Sequence, residues 1–135
     1  MMLDVLIAAD VASPQPAATC AAADPAVISL TSQLFKKHGG ADHYVITATV
    51  TNVGKESQTP DITQRVELVR DGVVLAPQPL PALGAGAAYT LAFAVDRPAR
   101  ERPEPLTVTL RYVLTSGDAA RNACNRSNDE ITKSF

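Results

Sequence analysis

From Tyr44 to Thr51 the chain alternates almost residue by residue. Tyr44, Ile46, Ala48 and Val50 fall on one side of an extended backbone, and Thr47, Thr49 and Thr51 on the other. A period of two with β-branched residues predicts a half-buried strand. The stretch closes on Asn52-Val53-Gly54, where Asn and Gly tolerate the left-handed backbone of a turn. A second strand is nearly as clear: Leu106, Val108, Leu110, Tyr112 and Leu114 alternate with Thr107, Thr109 and Arg111.

Shorter patterns fill in the rest. AVISLTSQLFKK, from Ala26, predicts a first strand. Val66, Leu68 and Val69 predict another, followed at once by Asp71-Gly72 and then Val73-Val74-Leu75. Asp-Gly between apolar runs is a strong hairpin signal, because a type I′ turn needs positive φ at both central positions. Pro77, Pro79 and Pro81 cannot lie in a central ladder, so APQPLPA is expected at an edge or as a crossing segment. Leu91, Phe93 and Val95 alternate in TLAFAV, Asp96 to Pro105 reads as an exposed loop, Ser116 to Asn128 as a polar loop, and Glu130 to Phe135 as a short last strand.

About seven short strands with no convincing helical period after residue 26 predict an all-β fold, an immunoglobulin-like antiparallel β-sandwich, with a Greek-key barrel as the alternative. No crossover helix fits between the strands, which argues against a parallel α/β sheet. The first 25 residues read differently. Met1 to Val11 fits a leader remnant, a short helix or an added edge strand, and lacks the basic start of a signal peptide. Ser13 to Pro25 is expected to be an extended, solvated Ala/Pro linker. The expected division is an N-terminal extension or linker at 1–25 and one sandwich domain at 26–135.

Composition narrows the function classes. Of 135 residues 46% are apolar, but only 4% are aromatic and Trp is absent, so the core must rest on Val, Ile and Leu with Phe93 and Tyr112 as its larger pieces. Net charge is −2. No Lys/Arg run is present, so a nucleic-acid partner is not expected. No stretch approaches the roughly 20 apolar residues of a membrane span.

Two cysteines, Cys20 and Cys124, are the only ones. Both lie in polar surroundings, so they are candidates for a disulfide in an oxidising compartment; the alternative is two unrelated thiols. His38 and His43 flank Gly39-Gly40 without the further ligands a zinc site needs. Asp118, Asn122, Asn125, Asn128 and Asp129, with Glu130 beside them, carry the oxygen chemistry of a calcium loop but not the spacing of an EF-hand. Asn and Asp in loops more often bond their own backbone. Arg97, Arg100, Arg102, Arg121 and Arg126 are the basic residues of the two candidate binding loops. No nucleophile or phosphate-loop signature occurs, and no cofactor and no catalytic residue is expected.

Several of these motifs together resemble the CARDB family, the immunoglobulin-like domain related to bacterial cell adhesion. The positions that carry the resemblance are Asn52 and Gly54, Asp71 and Gly72, Leu83 and Gly86, Phe93, Asp118, and Asn125 with Asn128. It spans about residues 26–135 and departs from the family at ACNRSNDE, which contains Cys124 where the family is richer in Glu. The resemblance implies a non-catalytic module of secreted or surface proteins and leaves the partner unspecified. The expected function is a monomeric binding module, secreted, periplasmic or on a bacterial surface, recognising a protein or glycan of the cell envelope or a host. The alternatives are an assembly subunit that uses strand addition, with Met1 to Val11 as donor, and a calcium-binding domain or small enzyme.

Overall fold

The computed structural model of the chain describes residues 21–38, 40–98 and 105–135. Among these, seven strands form two antiparallel sheets: β1 (Pro25–His38), β2 (Ala41–Asn52), β3 (Thr63–Arg70), β4 (Val73–Pro79), β5 (Ala88–Pro98), β6 (Thr107–Ser116) and β7 (Glu130–Ser134). One sheet has the order β1-β2-β5 and the other β4-β3-β6-β7. The fold is the immunoglobulin-like sandwich expected from the alternation.

The core follows the period of two. Ile46, Ala48 and Val50 of β2 and Leu91, Phe93 and Val95 of β5 bury against Val66 and Leu68 of β3 and Val108, Leu110 and Tyr112 of β6. Tyr44–Thr51 and Leu106–Leu114, the two clearest strands in sequence, therefore lie in opposite sheets and face each other across the core. Asp71 and Gly72 sit at φ 52° and 77°, positive at both central positions as a type I′ turn requires.

β1 carries register shifts at Val27/Ser29 and Leu34/Lys36, and the first of these breaks the alternation. Leu30 is buried while Ile28 is exposed, because a bulge re-aims the side chains that follow it. Single side-chain contacts bridge the two sheets at their flanks. β4 is an edge strand, as its prolines predict, and Gln78 Nε2 donates to Ala92 O of β5 (2.7 Å). On the other flank Lys133 Nζ of β7 donates to Leu30 O of β1 (3.2 Å).

Two expectations are corrected. Residues 23–25, read as solvated linker, are buried: Ala23 and Asp24 are 0% exposed, and Pro25 opens β1. Packing against the last loop overrides the linker composition there. The stretch read as a polar loop from Ser116 holds a helical turn, α1 (Ala119–Asn122), and a 3-10 turn at Arg126–Asn128. Each is started by an Asx cap: Asp118 accepts from Ala120 N and Asn125 from Ser127 N, the usual work of these residues at a helix start.

Candidate functional site

Under one end of the sandwich lies a buried polar layer. Gln58 and Gln64 pair their amides reciprocally, both at 2.8 Å. Gln58 Nε2 also donates to Asn122 O (2.9 Å), and Gln58 Oε1 accepts from Leu83 N (2.9 Å). The Tyr112 hydroxyl donates to Gln64 Oε1, and burial pushes its pKa up to about 12. Asn122 Oδ1 accepts from Thr59 N (2.8 Å) while its Nδ2 donates to Asp118 O (3.1 Å). Three loops and two core strands are thus joined by satisfied bonds, the arrangement in which a buried polar network fixes geometry.

Asn52 does the same at the end of β2. Its Oδ1 accepts from Asp24 N (2.9 Å) and Gly54 N (3.0 Å), and its Nδ2 donates to Glu56 O (2.9 Å) and Leu83 O (3.1 Å). Gly54 is required by close approach and not by a left-handed backbone. A Cβ there would lie 2.0 Å from Ala22 O and 2.9 Å from Ala23 Cα. The segment 22–24 runs directly over it, tied by Val53 N to Asp24 O (2.9 Å).

Above this layer a cleft of about 560 Å³ opens along β6, with Arg111, Leu114, Gly117, Ala123, Arg126 and Glu130 in its walls. It exists because β7 pairs with β6 only through Thr107–Arg111. One further bond, Tyr112 N to Asp129 O (2.8 Å), holds the junction before α1 and the 3-10 turn swing away.

The five residues considered for calcium divide in two. Asp118 and Asn125 give oxygens to local backbone N–H groups, and Asn122 gives its oxygen to the backbone N–H of Thr59 in another loop. Asn128 and Asp129 do not: Asn128 Oδ1 and Asp129 Oδ1 are buried without a hydrogen-bond partner. Beside them lies Asp24, whose Oδ2 accepts from Asn128 Nδ2 (2.9 Å) and whose Oδ1 is also buried without a partner. Burial raises the pKa of Asp24, and burial together with the charge of Asp24 pushes Asp129 up to about 7. Among the described residues no three His, Cys, Asp or Glu side chains group to hold a metal; this set is two carboxylates with an amide.

No protein-family model matches the chain, and no curated protein matches it significantly. A search of solved structures finds a CARDB domain from Pyrococcus furiosus, crystallised in complex with di-metal ions, at a TM-score of 0.59 and 15% identity, covering 90% of this chain and 91% of that one. The fold is of the CARDB type. The CARDB-like motif positions are fold chemistry here. Asn52 is a four-bond hub, Leu83 and Phe93 are core residues, and Asp118 and Asn125 are caps.

Other candidates are dispersed over this CARDB-type sandwich. His43 meets Asp96 at 2.5 Å. Arg97, expected in an exposed loop, lies instead within β5 opposite Asp42, because the β2–β5 ladder runs on to Pro98; it stacks over the Tyr44 ring at 5.0 Å and donates to its hydroxyl (3.0 Å). Arg121 and Arg126 are exposed at the opposite end. Arg100, Arg102, Cys20 and the proposed strand donor Met1 to Val11 lie outside the described residues. Cys124 is half-buried; its N donates to Ala23 O (3.2 Å), and Ala23 N to Arg121 O (3.1 Å). Among the described residues no helix is long and apolar enough to cross a membrane. Sequence reasoning missed Asp24, Gln58 and Gln64, which stand in Ala/Pro or polar connector sequence with no local pattern to mark them.

Proposed function

We propose that this chain is a non-catalytic binding module of the cell exterior or periplasm, recognising a protein or glycan through its 111–130 end. The observation that carries the reading is the cleft along β6, whose polar walls stand on the Gln58–Gln64–Asn122 layer. A preformed polar concavity on a rigid sandwich suits recognition by loops, which is where such folds place it. An oxidising location fits the Ala23–Arg121 and Cys124–Ala23 backbone bonds, which bring residue 23, three from Cys20, against Cys124. The module works as a monomer in this reading, with Pro77 and Pro79 blunting the β4 edge against strand addition.

The test is capture from the source's own envelope fraction and a glycan array, using the wild-type chain beside Arg126→Glu and Glu130→Arg. Both positions are exposed, so the variants keep the fold. The reading expects a partner lost in the variants. A partner that binds all three chains equally places recognition elsewhere and defeats it.

A second reading has its own support. The Pyrococcus furiosus domain of like fold was solved with metal ions, and three buried oxygens at Asp24, Asn128 and Asp129 lack partners here. A hard divalent cation would satisfy them.

A further inference from the structure

We propose that Asp24, Asn128 and Asp129 form a calcium-class site that staples the segment before β1 to the loop before β7. The proposal rests on the divalent-cation reading and names the residues that would carry it. Its physical basis is the accounting of buried oxygens. Asp24 is 0% exposed. One of its carboxylate oxygens accepts from Asn128 Nδ2 at 2.9 Å, while the other, Oδ1, is buried with no partner. Asn128 Oδ1 and Asp129 Oδ1 are in the same condition. Burying an oxygen acceptor without a bond costs about 1–3 kcal/mol, more when it is charged. Asn128 is bonded to Asp24, and the charges of Asp24 and Asp129 act on each other, while the Asp24 carboxyl gains only the Asn125 backbone besides Asn128, so a cation at this junction would relieve all three side chains.

The chemistry selects the cation. The candidate ligands are two carboxylates and one amide carbonyl, all oxygen, which suits calcium or magnesium and not zinc or copper. The carboxylates stand 105 positions apart in the chain, so a bound ion would lock residue 24 to residue 129. That same junction already carries Val53 N to Asp24 O and Tyr112 N to Asp129 O, at 2.9 and 2.8 Å. The ion therefore acts on the wall of the β6 cleft, of which Asp129 is a part. With three protein ligands and the remaining positions filled by water, the affinity falls in the roughly 10⁻⁴–10⁻³ M range of extracellular modules.

The experiment titrates calcium chloride, and magnesium chloride in parallel, into the EDTA-treated full chain. Calorimetry and amide NMR shifts are the readouts, with Asp129→Asn as the variant. The proposal expects saturable calcium binding, shifts centred on residues 22–26 and 125–130, and at least a tenfold weaker affinity in Asp129→Asn. Mapping on the wild-type chain keeps the test decisive if the variant folds poorly. Binding with shifts centred on other residues overturns this ligand set and leaves the cation reading standing. No binding of either ion at about ten times the upper end of that range overturns both.

Discussion

Replacing Asn52 by Ala should destabilise the protein more than almost any other polar substitution. The side chain is fully buried, and all four of its hydrogen bonds go to backbone groups of three separate segments. Three of these bonds are buried and the fourth, to Glu56 O, is partly so. Truncation leaves the Asp24 and Gly54 N–H groups and the Leu83 carbonyl without partners. At about 1 kcal/mol or somewhat more for each buried group, the loss is about 3–4 kcal/mol. That is a large share of the roughly 5–15 kcal/mol that holds a domain folded, and it corresponds to a fall in Tm of about 10 °C. Asn52→Asp separates the two halves of the argument. It keeps both acceptor bonds but turns a second oxygen toward the Leu83 and Glu56 carbonyls. It should match the Ala variant near neutral pH and regain part of the loss in acid, where the protonated carboxyl again has a donor. Urea unfolding followed by circular dichroism gives both numbers. An Asn52→Ala loss below about 1 kcal/mol at an unchanged m-value would refute the reasoning.

Further outcomes follow from neighbouring features. Gly54→Ala should cost roughly 2–3 kcal/mol by overpacking, since its Cβ meets only backbone, whereas Gly84→Ala meets Ser57 Oγ at 3.6 Å and should be nearly neutral; equal Tm values for the two would show that segment 22–24 yields freely. Glu67 lies on the outer face between Arg111 (2.8 Å) and Arg65 (2.6 Å), which hold its pKa below the usual 4.5. A depressed folded pKa gives stability that is present above about pH 4.5 and lost as pH falls through the folded value. Both arginines are 40% exposed, so solvent reduces the effect to roughly 1 kcal/mol, and the stability gap between wild type and Glu67→Gln should close on acidification; a gap unchanged between pH 6 and 3 contradicts the pairing. If Cys20 and Cys124 pair, the loop of about 105 residues implies roughly 4–5 kcal/mol, so reductant should lower Tm by several degrees and expose two alkylatable thiols, and equal alkylation with and without reductant would rule the bond out.

Much of the fold was legible because each strand carried a local period. Tyr44–Thr51, Thr107–Leu114 and the Asp71-Gly72 hairpin are set by residues within a few positions of one another. β1 was legible in extent but not in facing, because its bulge re-aims Leu30 and Ile28 in a way that depends on the partner strand. The site was legible only in part. Asn128 and Asp129 stood out as loop oxygens, yet Asp118, Asn122 and Asn125 looked equivalent to them in sequence. What separates the five is whether a backbone N–H happens to lie within reach, and that is decided by the packing of α1 and the 3-10 turn. Asp24 gave no sign at all, since its burial comes from contacts with residues near 52 and near 128.

Asn52, Gln58, Gln64 and Asn122, buried polar residues among the described ones, are gathered at one end, and this ties stability to recognition. Asn52 positions Asp24, Asp24 holds Asn128, and Asp129 holds the point where β6 leaves β7 and the cleft begins. Gln58 and Asn122 brace the opposite wall from below. A ligand in the cleft would meet walls whose backbone is already fixed by buried bonds, so little ordering remains to be done on binding. The same connectivity means that loosening the 22–24 segment should weaken binding as well as stability, although Asp24 and Asn52 are buried and do not line the cleft. Partner affinity measured on Gly54→Ala, beside that of Gly84→Ala, tests this coupling: a destabilised Gly54→Ala that keeps full affinity under conditions where it is folded would show that the cleft is independent of the segment beneath it.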